Sequence, residues 1–115
     1  MSETLIALPV DEIAAVLAEV AEGRRPFTTP RGWDPGDCFN MELDVEGGWK
    51  ITIFIDVGDL DYIDEATAPD GRTRDEWLVP GDDGCDYWRN PIDLLTPEQS
   101  RSLQRIIEAT RRPTS

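Results

Sequence analysis

Residues 39–57 read FNMELDVEGGWKITIFIDV, and this stretch decides the fold because apolar and polar side chains alternate on both sides of a double glycine. The apolar positions are Phe39, Met41, Leu43 and Val45 before the glycines, and Trp49, Ile51, Ile53, Ile55 and Val57 after them. A period of two places one set of side chains on each face of an extended strand. The stretch therefore predicts two antiparallel strands, each buried on one face.

The loop between these strands can be chosen from the register that it imposes, because opposed residues in an antiparallel pair share a face. A two-residue turn at the glycines would place Leu43 opposite Thr52 and divide the two apolar sets. A three-residue loop, residues 46–48, places Leu43 opposite Ile51 and keeps the sets together. We therefore predict the three-residue loop, with a glycine in the left-handed conformation.

A third strand is predicted from Leu60 to about Ala68, after a two-residue turn that has Gly58 in its first position. A Pro-Asp-Gly turn at residues 69–71 then leads to a fourth strand within residues 72–79, where the alternation is weaker. Residues 80–91 are rich in turn formers, and we expect their aromatic pair, Tyr87 and Trp88, to fold over an edge of the core.

One residue of the third strand conflicts with this register. The Gly58-Asp59 turn places Asp64 opposite Ile53, on the core side of the sheet, where an unpaired carboxylate is costly. Two solutions remain open at this point. Either the strand bulges after Tyr62, or Asp64 makes hydrogen bonds near an edge, for example with Arg72 or Arg74.

Two predicted helices flank the strands. Between Pro9 and Gly23 apolar residues recur at helical spacing, with acids in the first turn and glycine at the C′ position. The segment TPEQ, residues 96–99, combines an N-cap threonine, an N1 proline and a capping-box glutamine. The sequence thus predicts a single α+β domain, residues 1–115: helix, a three- to four-stranded antiparallel meander, helix, with both helices on one face of the sheet.

The acidic side chains are concentrated in the strands and their loops. The chain has 24 acidic and 11 basic residues and a net charge of −13, and residues 34–93 hold 17 of the acids but only four of the bases. The electric field of a chain with this much negative charge repels nucleic acid and anionic lipid and attracts basic protein surfaces. We therefore expect a protein partner with a basic surface, no direct nucleic-acid binding and no membrane association.

Several kinds of chemistry are disfavoured by the residues present. The chain has no histidine, which excludes Ser-His and Cys-His catalysis, and Cys38 and Cys85 match no metal or redox spacing. The acidic run DVGDLDYIDE, residues 56–65, does not fit the EF-hand pattern. We expect no metal site, no cofactor and no enzymatic activity. The N-terminal segment lacks the basic region of a signal peptide, which favours a cytoplasmic location.

The predicted register also arranges the outward side chains in four rows across three strands: Asp44, Lys50 and Thr67; Glu42, Thr52 and Glu65; Asn40, Phe54 and Ile63; and Cys38, Asp56 and Asp61. In one row Phe54 and Ile63 meet as an apolar pair among carboxylates, as in a charge-steered protein interface. The candidate partner-binding residues are Glu42, Asp44, Phe54, Asp56, Asp59, Asp61, Ile63 and Glu65. In the alternative interpretation, residues 80–91 cover the apolar pair and the face has no partner.

Two longer segments support a resemblance. They are GGWKITIFIDVGDLDYIDEATAPDGR, residues 47–72, and NPIDLLTPEQSRSLQRIIEA, residues 90–109. The chain resembles a family of short acidic bacterial proteins with a domain of unknown function, in which a Gly-Trp strand precedes a Leu-Asp-Tyr strand, a Pro-Asp-Gly turn and a C-terminal helix. The resemblance implies a shared fold and assigns no catalytic or binding residue.

These observations favour a small acidic inhibitor that occupies a basic, nucleic-acid-handling surface of a partner protein. Toxin-neutralising immunity proteins and phage-encoded anti-CRISPR inhibitors, some of which imitate DNA phosphates, are comparable in size and charge, and the comparison is an analogy. Two alternatives come from other classes. One is a metal-dependent carboxylate enzyme, and the other is a housekeeping protein whose charge serves only solubility.

Overall fold

The structure, a computed structural model, describes residues 7–111 and contains an antiparallel sheet with two α-helices. Its elements in chain order are α1 (Val10–Ala21), β1 (Phe27–Thr28), β2 (Cys38–Val45), β3 (Trp49–Asp56), β4 (Asp59–Thr67), β5 (Thr73–Arg74), β6 (Leu78–Pro80), β7 (Asp86–Trp88), a 3₁₀ turn (Pro91–Leu94) and α2 (Pro97–Glu108). Strands β1 to β5 form one sheet in sequential order, and β6 pairs with β7 in a separate hairpin. The predicted α+β class is confirmed, with more strands than the meander that we expected.

Both helices begin or end as the sequence predicts. Gly23 follows α1 at φ 76°, and the amides of Gly23 and Arg24 donate to the carbonyls of Val20 and Glu19, which is a Schellman motif. Thr96 caps α2 in a complete capping box. Neither helix, within residues 7–111, is long and apolar enough to span a membrane.

The core lies between the helices and one face of the sheet. The strands contribute the alternating apolar set of β2 and β3, together with Ile63 and Ala66 of β4, and these residues join one buried cluster with side chains from α1 and α2. The fully buried members include Ile13, Leu17, Met41, Leu43, Ile51, Ile53, Ile55, Ile63, Leu103 and Ile107. Within residues 7–111, neither helix packs on the opposite face of the sheet, which we call the outer face.

The register between β2 and β3 is the predicted one. Leu43 is opposite Ile51 and Val45 is opposite Trp49, so the connection is the three-residue loop. Gly47 and Gly48 have φ values of 99° and 94°, which a residue with a side chain adopts only at a cost. The double glycine therefore fixes the pairing of the two longest apolar runs.

The register between β3 and β4 differs from the prediction. The turn is Val57-Gly58 and not Gly58-Asp59, and β4 contains two bulges in which Asp61 and Asp64 are the extra residues. Ile63 consequently lies opposite Ile53 and is 0% exposed, so the prediction that it points outward is wrong. The bulge at Asp64 is one of the two solutions that the sequence left open.

Approximate energies explain why the bulged register is preferred. It buries the Ile63 side chain, which is worth about 1.5–3 kcal/mol, and it removes the Asp64 carboxylate from the core side of the sheet. Its cost is a β-branched residue with positive φ, Val57 at 50°, for which a strain of about 1–3 kcal/mol is typical. The gain from burial and from avoiding a buried charge outweighs the strain of the turn.

The turn offers a test of that strain. We expect Val57→Asn to raise the free energy of unfolding by about 1 kcal/mol, because Asn-Gly suits a turn with two positive φ values. Val57 is 60% exposed, so the substitution removes little packing. Urea unfolding measures the change, and Val57→Thr, which keeps the β-branch, serves as the control and should give no gain. Equal stability of the asparagine variant and the native protein would contradict the strain at Val57.

The predicted fourth strand is divided into two short ones. Only Thr73 and Arg74 extend the sheet, while Trp77 turns into the core and residues 78–80 pair with β7. The expectation that the aromatic pair of residues 80–91 packs over an edge of the core is also wrong, because Tyr87 and Trp88 are both exposed. The chain leaves the sheet after Arg74, because Trp77 is buried in the core. The Arg74 guanidinium lies 5.7 Å from the centroid of the Trp77 ring.

Arginines of the sheet region bind the start of α1. Arg72 forms ion pairs with Glu12 (2.9 Å) and Asp70 (2.7 Å), and Arg89 forms one with Asp11 (2.8 Å). The hydrogen bonds to Glu12 and Asp70 raise the pKa of Arg72, and the same arginine lowers the pKa of Asp70. Arg74 donates to backbone carbonyls instead, so the alternative pairing of Asp64 with Arg72 or Arg74 is wrong.

Candidate protein-interaction face

The outer face consists of four rows of side chains across β2, β3 and β4. The observed rows are Asp44, Lys50 and Thr67; Glu42, Thr52 and Glu65; Asn40, Phe54 and Tyr62; and Cys38, Asp56 and Asp59. The first two rows are as predicted. In the third row Tyr62 occupies the position that was expected for Ile63, and in the fourth row Asp59 occupies the position that was expected for Asp61. The cause is the two bulges, which shift β4 along β3.

An aromatic cluster lies on the outer face. The ring centroids of Phe54 and Tyr62 are 5.3 Å apart, and Trp88 of the β6–β7 hairpin meets Tyr62 edge-on at 6.3 Å. Trp88 is 57% exposed, and Leu78, its cross-strand partner in the hairpin, is 50% exposed. The aromatic cluster, Phe54, Tyr62 and Trp88, therefore remains accessible although the hairpin covers part of it.

Carboxylates occupy the rows beside the aromatic cluster. Glu42, Asp44, Asp56, Asp59 and Glu65 are all exposed, whereas Phe54 is half-buried. Lys50 is the one basic residue in the rows, with its ammonium 3.9 Å from Glu42 and 3.8 Å from Asp44. Asp61 is exposed but lies beside Ile92 and Asp93 at the rim of a shallow depression near α2. The structure thus brings five of the six predicted acids to the outer face and places Asp61 at its border.

Cys38 is part of the row that contains Asp56. Its thiol donates a hydrogen bond to the Asp56 carboxylate at 3.1 Å, and this bond raises the pKa of Cys38. A raised pKa disfavours the thiolate, which is the nucleophilic form. Cys38 is therefore poorly suited to act as a nucleophile, although its side chain is exposed.

Two side-chain amides close the free edge of β4. Asn90 accepts from the amide of Ile63 and donates to its carbonyl, both at 2.9 Å, and Asn90 is 0% exposed. Gln104 of α2 accepts from the amide of Leu60 at 3.0 Å and donates to the carbonyl of Gly58 at 2.9 Å. Each side-chain amide accepts from one backbone amide and donates to one backbone carbonyl, as a residue of a neighbouring strand would. The strand β5 pairs only with Ala66 and Thr67 of β4, so the two amides supply the hydrogen bonds along the earlier part of this edge.

Sequence reasoning did not find Asn90, Gln104, Tyr62 or Trp88 as residues of this region. A signal for Asn90 exists, because Asn-Pro directly before a predicted 3₁₀ or helical start is a common N-cap arrangement, and Asn90 does accept from the amide of Ile92. No local pattern shows that the same amide also binds Ile63. Tyr62 was missed because its orientation depends on the bulges.

The tip of the hairpin has its own internal bonds. The Tyr87 hydroxyl donates to the Asp83 carboxylate, which raises the pKa of Tyr87 and lowers that of Asp83. A side chain on Gly81 would collide with the Tyr87 ring. Tyr87 therefore stabilises the hairpin, whereas Trp88 on the opposite face is free to contact other groups.

The arrangement supplies charge and apolar surface, and it does not assemble a set of ligands. Within residues 7–111, no group of three or more Cys, Asp or Glu residues is placed to hold a metal ion. The acids stand in separate rows on a pleated face, and those two residues apart on one strand lie about 6.6 Å apart along it. Such a face can attract a cationic surface over a broad area.

The fold and this face define a small acidic α+β protein with one open sheet surface. The chain belongs to the family described as domain of unknown function DUF7693, whose model matches residues 7–109. This match confirms the resemblance at the level of a family whose function is unknown. Comparison with curated proteins and comparison with solved structures found no match.

Proposed function

We propose that this protein binds a basic surface of a partner protein through its outer face. The observation that supports the proposal is the accessible aromatic cluster beside five exposed carboxylates, with Lys50 as the one base in the same rows. Apolar anchors with a charged surround are typical of interfaces in which charge guides the encounter and apolar burial holds the complex.

The distribution of the basic residues supports an unneutralised outer face. Arg72 and Arg89 are engaged with the first turn of α1, and Arg74 donates to the carbonyls of Glu76 and Leu8. These three arginines are the bases of residues 34–93 other than Lys50. Their charges are thus used for internal contacts, and the five outer-face carboxylates stay exposed with Lys50 as the one base in their rows.

The partner that suits such a face is a protein whose basic surface handles nucleic acid. Occupation of that surface would block access of the phosphate backbone, so we propose that the protein acts as an inhibitor in the bacterial cytoplasm, in the manner of immunity proteins or of anti-CRISPR and other DNA-mimic proteins. The net charge of −13 supports this choice, because it favours cationic surfaces over nucleic acid itself. In this proposal the protein is a binding protein and not an enzyme.

The proposal is tested by capturing the partner from the native cell and measuring the kinetics of the purified pair. We expect Glu65→Lys to slow association and to weaken its dependence on salt, because rim charges act mainly on the encounter rate. Glu98→Lys, on α2, changes the net charge equally and serves as the control. A Glu65→Lys variant that associates no more slowly than the Glu98→Lys variant would contradict the proposed role of the outer face.

The aromatic cluster is tested in the same pair. We expect Trp88→Ala to weaken binding by roughly 30-fold, mainly through faster dissociation, as for a central aromatic anchor. Phe54→Ala should act in the same direction. If the affinity of both variants equals that of the native protein, the cluster is not the anchor and the outer face binds by charge alone or not at all.

A further inference from the structure

The two edges formed by the long strands β2 and β4 differ in how much of their backbone is hydrogen-bonded. The edge of β4 is closed by β5 and by the amides of Asn90 and Gln104. On the other side, β1 pairs only with Asp44 and Val45 of β2, although β2 begins at Cys38. Unpaired strand edges are sites at which another chain can add a strand.

The orientation of the backbone groups of β2 follows from two bonds near its β1 end. The Glu46 amide donates to the carbonyl of Pro26, and the Glu42 carbonyl accepts from the Thr29 hydroxyl at 3.2 Å. Both groups therefore point toward β1 and away from β3. Backbone groups alternate in direction along a strand, and the pairing of β2 with β3 has no bulge. The amide and carbonyl of Asn40, two residues before Glu42, therefore also point away from β3, toward the side on which β1 lies.

A proline ends the covering strand. Continuing the pairing of β1 with β2 would place Pro30 opposite Glu42, and proline has no amide hydrogen to donate. The chain instead offers the Thr29 side chain to the Glu42 carbonyl and leaves the strand. Within residues 7–111, no hydrogen bond joins the backbone of Asn40 to any segment on the β1 side.

We propose that residues 38–42 of β2 accept an extended basic segment of the partner as an added strand. This inference rests on the proposed function, since it identifies which part of the partner is bound. An added strand would hydrogen-bond to Asn40 and its neighbours, and its outward side chains would lie beside Glu42 and the other carboxylates of the outer face. Arginine or lysine at alternate positions would complete this arrangement.

Charge decides between a partner segment and a second copy of the chain. Two copies that paired through β2 would bring together two chains of net charge −13, with Glu42 and Asp44 of both copies on one face. Like charges opposite one another in a sheet are destabilising. A cationic segment gains from the same field, so it is the occupant that the edge favours.

The test uses a peptide of alternating arginine and valine, together with its analogue N-methylated at alternate residues. We expect Asn40→Pro to bind the peptide about tenfold more weakly than Asn40→Ala, because only proline removes the outward amide. The pairing of β2 with β3 should survive, since that amide points away from β3. The N-methylated peptide, which keeps the charges, should bind the native protein about tenfold more weakly as well.

Hydrogen exchange provides a readout on the native protein that does not depend on the fold of a variant. Addition of the peptide should slow exchange of the Asn40 amide, while the amide of Met41, which already faces β3, should change little. Unchanged exchange at Asn40, or equal binding of the two peptides, would overturn the added strand. Glu65→Lys would still weaken partner binding in that case, so the proposed function would stand. A concentration-dependent dimer abolished by Asn40→Pro would show that the occupant is a second copy and would overturn the partner segment.

Discussion

Replacement of Asn90 by alanine should lower the free energy of unfolding by about 2–6 kcal/mol. The side chain satisfies both the amide and the carbonyl of the buried Ile63, and its removal leaves two buried polar groups without partners. Each such group costs about 1–3 kcal/mol. The loss of the hydrogen bond to the amide of Ile92 at the start of the 3₁₀ turn adds to the effect.

Chemical denaturation of purified variants measures this loss. Asn40→Ala is the matched control, because Asn40 is an exposed asparagine on the outer face and its removal should change stability by no more than about 0.5 kcal/mol. Asn90→Asp keeps an oxygen acceptor but loses the donor, so it should also destabilise. A loss below about 1 kcal/mol for Asn90→Ala would mean that the edge of β4 does not depend on this amide.

Substitution of Ile63 by alanine should cost about 2–5 kcal/mol, the range for a large aliphatic side chain removed from a packed core. The same substitution on an outward-facing side chain would change stability by about 0.5 kcal/mol at most. The experiment therefore distinguishes the bulged register of β4 from the regular register that the sequence predicts. The two registers place Ile63 on opposite faces of the sheet.

Two further variants sharpen that test. Ile63→Val should cost about 0.5–1.5 kcal/mol, since only one methylene is lost from a buried site. Asp64→Ala changes the neighbouring extra residue of the bulge, which is partly exposed, and should be close to neutral. Equal small effects of Ile63→Ala and Asp64→Ala would show that Ile63 lies outside the core.

The sequence predicts β2 and β3 well because both strands carry an uninterrupted alternation. A single slip would expose the whole apolar set, so only one loop length is compatible with burial on one face. The double glycine then meets the backbone demand of that loop, with both residues at positive φ. Local pattern and global packing agree here, which is why the first two rows of the outer face were placed correctly.

The sequence predicts β4 as a strand but not its register, because that register depends on groups far along the chain. Ile63 is held inward by Asn90, and Leu60 is bonded to Gln104 of α2. Such side-chain bonds produce no alternation of apolar and polar residues within β4 from which the register could be predicted. The turn misleads as well, since Val57 occupies a conformation that is unusual for a β-branched residue. The third and fourth rows of the outer face were therefore assigned to the wrong neighbours.

The position of Trp88 could not be derived from sequence for a related reason. A short hairpin between turn-rich segments carries no core pattern, and its contact with Tyr62 is a tertiary contact between two half-exposed or exposed rings. The acids of the outer face were easier to identify, because charge at exposed strand positions follows directly from the alternation. The positions of the outer-face acids can thus be predicted from the sequence more readily than the aromatic cluster.

The closure of the β4 edge by Asn90 and Gln104 has a consequence for synthesis on the ribosome. The strands β2, β3 and β4 emerge from the exit tunnel before the residues that cover that edge, so the nascent sheet has both sides open for a time. Its high negative charge then has a second use, because mutual repulsion keeps neighbouring nascent chains from pairing edge to edge. A chain released before Asn90 would lack both covering side chains, and repulsion between its acidic residues would be what opposes edge-to-edge pairing.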